Sequence, residues 1–180
     1  MTLARRIVVG ASGTPGSVRA MRYAAELAAR SDATLVVVHA WMPPGGDMAD
    51  RRAPSPILRE VWQRAAGQRL RNCVDNAWGG MPGDVQTSLV IARGVAGEVL
   101  TDLASGMDDL LIVGAGRRGP LARIGHGRVT RYCMAHAACP VLAVPPATLA
   151  SQAKRGLRSV FRHHGMSAEQ VARELDQRAA

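Results

Sequence analysis

Five short apolar runs decide what this chain can fold into: RIVVGAS (6–12), ATLVVVHAW (33–41), VQTSLVIA (85–92), DLLIVGA (109–115) and CPVLAVPP (139–146). Each is short, rich in β-branched residues and bounded by small or turn-forming residues, so each reads as a buried strand. Stretches of helical spacing lie between them. Ser17 is expected to cap a helix running to about residue 30, with Val18, Met21, Ala25 and Ala28 inward and Arg22, Glu26 and Arg30 outward. A second helix is predicted from Ile57 to Ala77 on Leu58, Trp62, Ala65, Cys73 and Ala77, stopped by Gly79 and Gly80. Residues 95–106 give a third, with Val99 and Leu103 inward, and residues 127–138 a fourth. The stretch 42–56 holds Pro43, Pro44, Gly45, Gly46, Pro54 and Pro56 and reads as a loop.

Strand alternating with helix implies right-handed crossovers and a doubly wound α/β sheet, with helices on both faces and ligand sites at the carboxyl ends of the strands. The run 33–41 is hydrophobic at successive positions, which suits a central parallel strand covered on both faces. The first and fourth strands both end in glycine, at Gly10 and Gly114. If they are neighbours, the strand order reverses between them and that crevice is the predicted site. A chain of 180 residues is one domain's worth: residues 1–146 are expected to form it. Residues 147–180 are then a basic helical appendage, in which SAEQVARELDQR opens on a capping box between Ser167 and Gln170.

The formal charge of +9 is placed unevenly, because acidic residues stop at Asp109 and resume at Glu169. Residues 110–168 therefore carry all of it, and such a block favours an anionic partner. A preference for Arg explains why Lys154 is the single lysine, but not the missing carboxylates. A nucleic-acid contact through residues 117–162 ranks second, since only 3% of residues are aromatic and little is available for base stacking. Cys73, Cys133 and Cys139 form no C-x-x-C pair, which points to a reducing, cytoplasmic compartment rather than a disulfide framework. No signal peptide is read at the N-terminus, and no apolar run approaches the roughly 18 residues that span a bilayer, so no membrane partner is expected.

GAGRRG (114–119) matches a dinucleotide-binding pattern but fails on context, because Pro120 follows and no acidic residue occurs before position 169. GASGTPGS (10–17) has the glycines of a P-loop without its lysine. Residues 110–168 offer no carboxylate as general base or magnesium ligand, and only His126 and His136 remain as bases there. His136 reads as a capping residue at a helix end. The expectation is a binding module rather than an enzyme, with at most weak ATP hydrolysis and no metal site.

What remains is anion binding by backbone. A glycine-rich loop entering a helix at Gly127 presents the N–H groups of Arg128, Val129 and Thr130, where the helix dipole favours negative charge. Thr130 adds a hydroxyl, and glycines at 114, 116 and 119 let a phosphate approach closely. An anionic small molecule at the 113–130 loop is therefore the expected partner.

RIVVGASGTPGSVRAMRYAAELA, TLVVVHAW and LLIVGAGRRGPLARIGHGRVTRYCMAHAACPVLAVP, in this order, resemble the universal stress protein family over about residues 5–145. The resemblance implies a five-stranded parallel sheet of order 3-2-1-4-5, the adenine nucleotide alpha hydrolase-like arrangement, and frequent homodimers through the last strand, here 139–145. The family includes members that bind ATP and members that do not. Binding members resemble G-x-x-G-x₉-G-S/T after the fourth strand, with an Asp at the end of the first. Gly114 and Gly127 fit that pattern; Arg117, Arg128 and Ser12 replace the second glycine, the Ser/Thr and the Asp. Val129 and Thr130 still match, Ala40 falls where the second strand meets adenine, and Ala11 lies beside Ser12. Two readings stay open: Arg117 and Arg128 clamp phosphates, or their bulk fills the pocket. The expected ligand is ATP or another adenine nucleotide between Ala11, Ser12, Ala40, Gly114, Arg117, Gly127, Arg128, Val129 and Thr130. The alternative is a family member without nucleotide, whose basic 117–162 face contacts a protein or nucleic acid.

Overall fold

The computed structural model describes residues 4–116 and 127–145. Along them run β1 (Arg6–Gly10), α1 (Pro15–Ser31), β2 (Thr34–Trp41), α2 (Gly46–Arg52), α3 (Pro56–Trp78), β3 (Thr87–Arg93), α4 (Ala96–Leu103), β4 (Asp109–Gly114), α5 (Arg128–His136) and β5 (Val141–Val144). The strands form one parallel sheet in the order β3-β2-β1-β4-β5. The order reverses between β1 and β4, which puts the crevice where the two glycine-ended strands predict it.

Side-chain alternation builds a core on each face of the sheet. Ile7, Val9, Leu35, Val37 and Ile112 pack with Met21 and Ala24 of α1 and Leu70 and Val74 of α3. Val8, Val38, Leu111 and Val113 pack on the other face with Val99 and Leu100 of α4 and Cys133 of α5. The central strands are sealed: Ile7, Val8, Val9, Leu35, Val37, Leu111 and Ile112 are all 0% exposed, each such side chain contributing about 1.5–3 kcal/mol.

A bidentate pair fixes the register at the amino ends of the strands. Arg6 Nε donates to Asp109 Oδ1 at 2.9 Å, and the same guanidinium donates to Asp109 Oδ2 and to Leu103 O. Arg6 and Asp109 are partners in the β1–β4 ladder, so the pair holds the two strands that frame the crevice. The Arg6 hydrogen bonds hold the Asp109 carboxyl below the usual carboxylate range against the opposing effect of burial, and Gly106 N–H adds to them.

Several local expectations need correction. The cap of α1 is Thr14, whose Oγ1 accepts from Ser17 N at 3.3 Å, while Pro15 opens the helix where no N–H is required. Ser17 is instead buried in the first turn. The 42–56 stretch is not all loop, because α2 lies within it, with Asp47 in its first turn and Arg51 and Arg52 in its last, as the helix dipole favours. In α3, Leu58 and Ala65 are exposed and the buried positions are Ala66, Leu70, Cys73, Val74 and Ala77. No residue of 56–65 is buried, so helical spacing there marks a helix without marking a core face.

Cys73, Cys133 and Cys139 are buried and unpaired, and burial pushes each thiol pKa up. No helix among the described residues is long and apolar enough to cross a membrane. The expected appendage, residues 147–180, lies outside the described residues.

Candidate functional site

The carboxyl ends of β1 and β4 meet the amino ends of α1 and α5 through a connected chain of contacts. Ser12 N donates to Ser17 Oγ at 3.2 Å, and Ser17 Oγ donates to Thr14 O at 3.0 Å. Gly114 abuts the same turn: a Cβ built there would lie 2.9 Å from the backbone C and O of Gly16 and 3.3 Å from Ser17 N. On its other side, Gly114 O accepts from Thr130 Oγ1 at 2.8 Å. Ser12, Ser17, Gly114 and Thr130 thus tie α1 and α5 to the crevice.

Two roles expected from sequence change as a result. At Gly114 it is the backbone of α1 that makes the close approach a glycine permits. Thr130, 8% exposed, spends its hydroxyl proton on Gly114 O. What it leaves available is its backbone N–H. The first bond within α5 runs from Arg131 N to Gly127 O at 2.9 Å, so the N–H groups of Arg128, Val129 and Thr130 have no partner inside the helix. Gly127 caps α5 at φ 99° without a side chain to occupy those amides. The glycine is needed there, because a positive φ of that size strains any residue with a Cβ.

α4 packs alongside α5. The first turn of α4 holds Gly97, where a Cβ would come within 2.7 Å of the Tyr132 ring, so the start of α4 lies against the middle of α5. Val95, the cap of α4, supplies no side-chain hydrogen bond either. The dipole and the free amides at the start of α5 favour an anion there.

The remaining predicted residues fall as follows. Ala11 is buried; its N donates to Val38 O at 2.7 Å and its O lies 2.7 Å from His39 Nδ1. Ser12 is exposed, with Oγ 3.0 Å from Thr14 Oγ1. Ala40 is half-buried on the α4/α5 face with Val90 and Ala92, a small apolar wall on the far side of β1 from β4. Arg128 and Val129 are exposed. Arg117, with Gly119 and His126, lies outside the described residues. His136 ends α5 as expected, its Nδ1 2.9 Å from Tyr132 O and its ring stacked on Tyr132 at 4.2 Å.

Sequence reasoning missed His39, which is 9% exposed and orients the Ala11 peptide from β2. It also missed Thr14, although Thr-Pro ahead of an apolar stripe is a helix-start signal. A groove of about 320 Å³ lies elsewhere, between α3 and β3, lined by Glu60, Gln63, Arg64, Gly67, Arg71 and Ile91. It lies on the α1/α3 face of the sheet, where Ile91 packs, and its charged and polar lining residues are all exposed, so the crevice remains the candidate. No group of three His, Cys, Asp or Glu residues that could hold a metal occurs among the described residues.

The model of the universal stress protein family matches residues 4–145. The chain belongs to this family. Among solved structures, a universal stress protein in complex with cAMP is 25% identical, at a TM-score of 0.51, over 81% of this chain and 99% of that one. UspA from Lactobacillus plantarum is 19% identical at a TM-score of 0.52, over 80% and 99%. The hypothetical protein MJ0577 is 16% identical at a TM-score of 0.62, over 81% and 98%, a likeness of fold. No curated protein is similar enough to the chain to count as a relative.

Proposed function

We propose that this universal stress protein is a binding module that takes ATP or another adenine nucleotide in the crevice between β1 and β4. The observation that carries the reading is the start of α5: three amides without helix partners, a glycine cap that brings no side chain to them, and an exposed Arg128 beside them. A phosphate fits those amides, and Arg128 adds a guanidinium donor. The base lies toward Ala40, where the wall is apolar. The family member solved with cAMP supports an adenine nucleotide as the ligand class.

Ser12 shapes the selectivity. Standing where ATP-binding members carry Asp, it offers one short neutral hydroxyl already shared with Thr14, so the ribose is held weakly and phosphate contacts dominate. The three buried, unpaired thiols support a reducing, cytoplasmic setting. The test is an NMR titration of the labelled full chain with ATP, read at the amides of residues 128–130. Failure to bind ATP leaves the second reading, a family member without nucleotide whose basic 117–162 face contacts a protein or nucleic acid.

β5 forms one edge of the sheet, with Val141, Leu142 and Ala143 half-buried. We read it as the edge on which a second copy pairs. Sedimentation equilibrium is expected to give twice the chain mass of 19.1 kDa; a monomer at every concentration contradicts it.

A further inference from the structure

The helix α2 has seven residues, and its one buried side chain is a carboxylate, Asp50, 6% exposed. No apolar face holds it down: Met48 is 63% exposed and Ala49 is exposed as well. The other helices each bury at least one apolar side chain, such as Met21 of α1, Leu70 of α3, Leu100 of α4 and Cys133 of α5. This one docks through charge.

Asp50 Oδ2 accepts from Arg59 Nε of α3 at 3.1 Å and from an Arg93 terminal nitrogen of β3 at 2.9 Å. Arg93 also grips Asp47 Oδ1, at 2.6 Å from a terminal nitrogen and 3.1 Å from Nε. Two carboxylates of α2 thus meet two guanidiniums from separate elements, and the cluster is neutral. Its amino end is a turn of two glycines at positive φ, Gly45 at 80° and Gly46 at 77°. Arg93 is the last residue of β3, and the next amide, Gly94 N, donates to Trp41 O at 2.9 Å. The cluster therefore anchors α2 across the carboxyl ends of β2 and β3, the sheet edge that also carries Ala40.

A buried carboxylate is tolerated only while its donors stay in place. Losing one guanidinium leaves Asp50 under-compensated, and α2 itself buries no apolar side chain to hold the helix in place. We propose that α2 is a strap latched by the Asp47–Asp50–Arg59–Arg93 cluster, which detaches from the sheet edge and rejoins it as a unit while the rest of the domain stays folded. Detachment bares the carboxyl ends of β2 and β3 and frees the Arg59 and Arg93 guanidiniums for an outside anion. This holds whether or not the crevice takes a nucleotide.

Amide hydrogen exchange on the full chain tests it. The readout compares residues 50–53, whose amides bond within α2 or, for Ala53 N, to Ala49 O, with residues 70–77 in the buried half of α3. Arg93→Gln and Asp50→Asn are each expected to speed exchange at 50–53 by about tenfold or more while 70–77 stays unchanged. The double variant is expected to be no faster than the faster single, because both remove one latch. The wild-type chain gives a test that needs no substitution: exchange at 50–53 rises in about 1 M NaCl, where the screening length falls to about 3 Å. Unchanged protection at 50–53 in both single variants, or in salt, overturns the proposal. So does exchange at 50–53 that rises only in step with 70–77, since that is global unfolding.

Discussion

Replacing Gly114 with alanine is expected to destabilise the domain by about 3 kcal/mol, the upper end of the usual cost of overpacking. The added Cβ meets backbone rather than a movable side chain: the carbonyl carbon and oxygen of Gly16 at 2.9 Å. Relief requires α1 to move off β4 as a body, which disturbs the packing of Met21 and Ala24 against Ile112. Gly16 supplies the control. A Cβ at Gly16 meets nothing within 4 Å, and alanine suits a helix better than glycine. Gly16→Ala is therefore expected to leave stability unchanged or raise it by up to about 1 kcal/mol. Urea unfolding of the two variants separates the cases. Equal midpoints for both would contradict the close packing at Gly114.

Reversing the charge at Arg128 is expected to act on binding and stability in opposite directions. Arg128 is exposed in the first turn of α5, where a cation opposes the helix dipole and an anion suits it. Arg128→Glu is expected to stabilise the helix slightly, by about 0.3–1 kcal/mol. The same carboxylate stands against the three amides and repels a phosphate, so affinity for ATP is expected to fall at least about tenfold. Arg128→Ala removes only the attraction and is expected to fall between wild type and Arg128→Glu. Thermal unfolding and calorimetric titration of the three chains read both effects. An unaltered ATP affinity in Arg128→Glu would move the phosphate away from α5.

The sheet was legible because its signals are local: each strand is a continuous apolar run, and alternation with helices leaves few topologies open. The start of α5 was legible for the same reason, since Gly127 and the residues after it define the cap. What stayed hidden depends on partners distant in sequence. Proline and glycine dominate residues 42–56, yet α2 forms there because Asp50 finds Arg59 and Arg93, 9 and 43 positions on. Spacing alone made Leu58 and Ala65 core residues of α3; nothing in a periodicity says where a helix runs past the sheet it covers. Gly114 shows the limit at the site itself. A glycine that permits close approach is recognisable, but whether ligand or backbone makes the approach is decided by Gly16, nearly a hundred residues earlier.

Titrating the isotopically labelled chain with ATP while following its backbone amide resonances tests the central claim most directly. The account predicts saturable shifts at Arg128, Val129 and Thr130, with Ser12 and Ala40 moving along the same binding curve. Millimolar ATP that leaves the amides of 128–130 unmoved, or that shifts only residues remote from the start of α5, would contradict it.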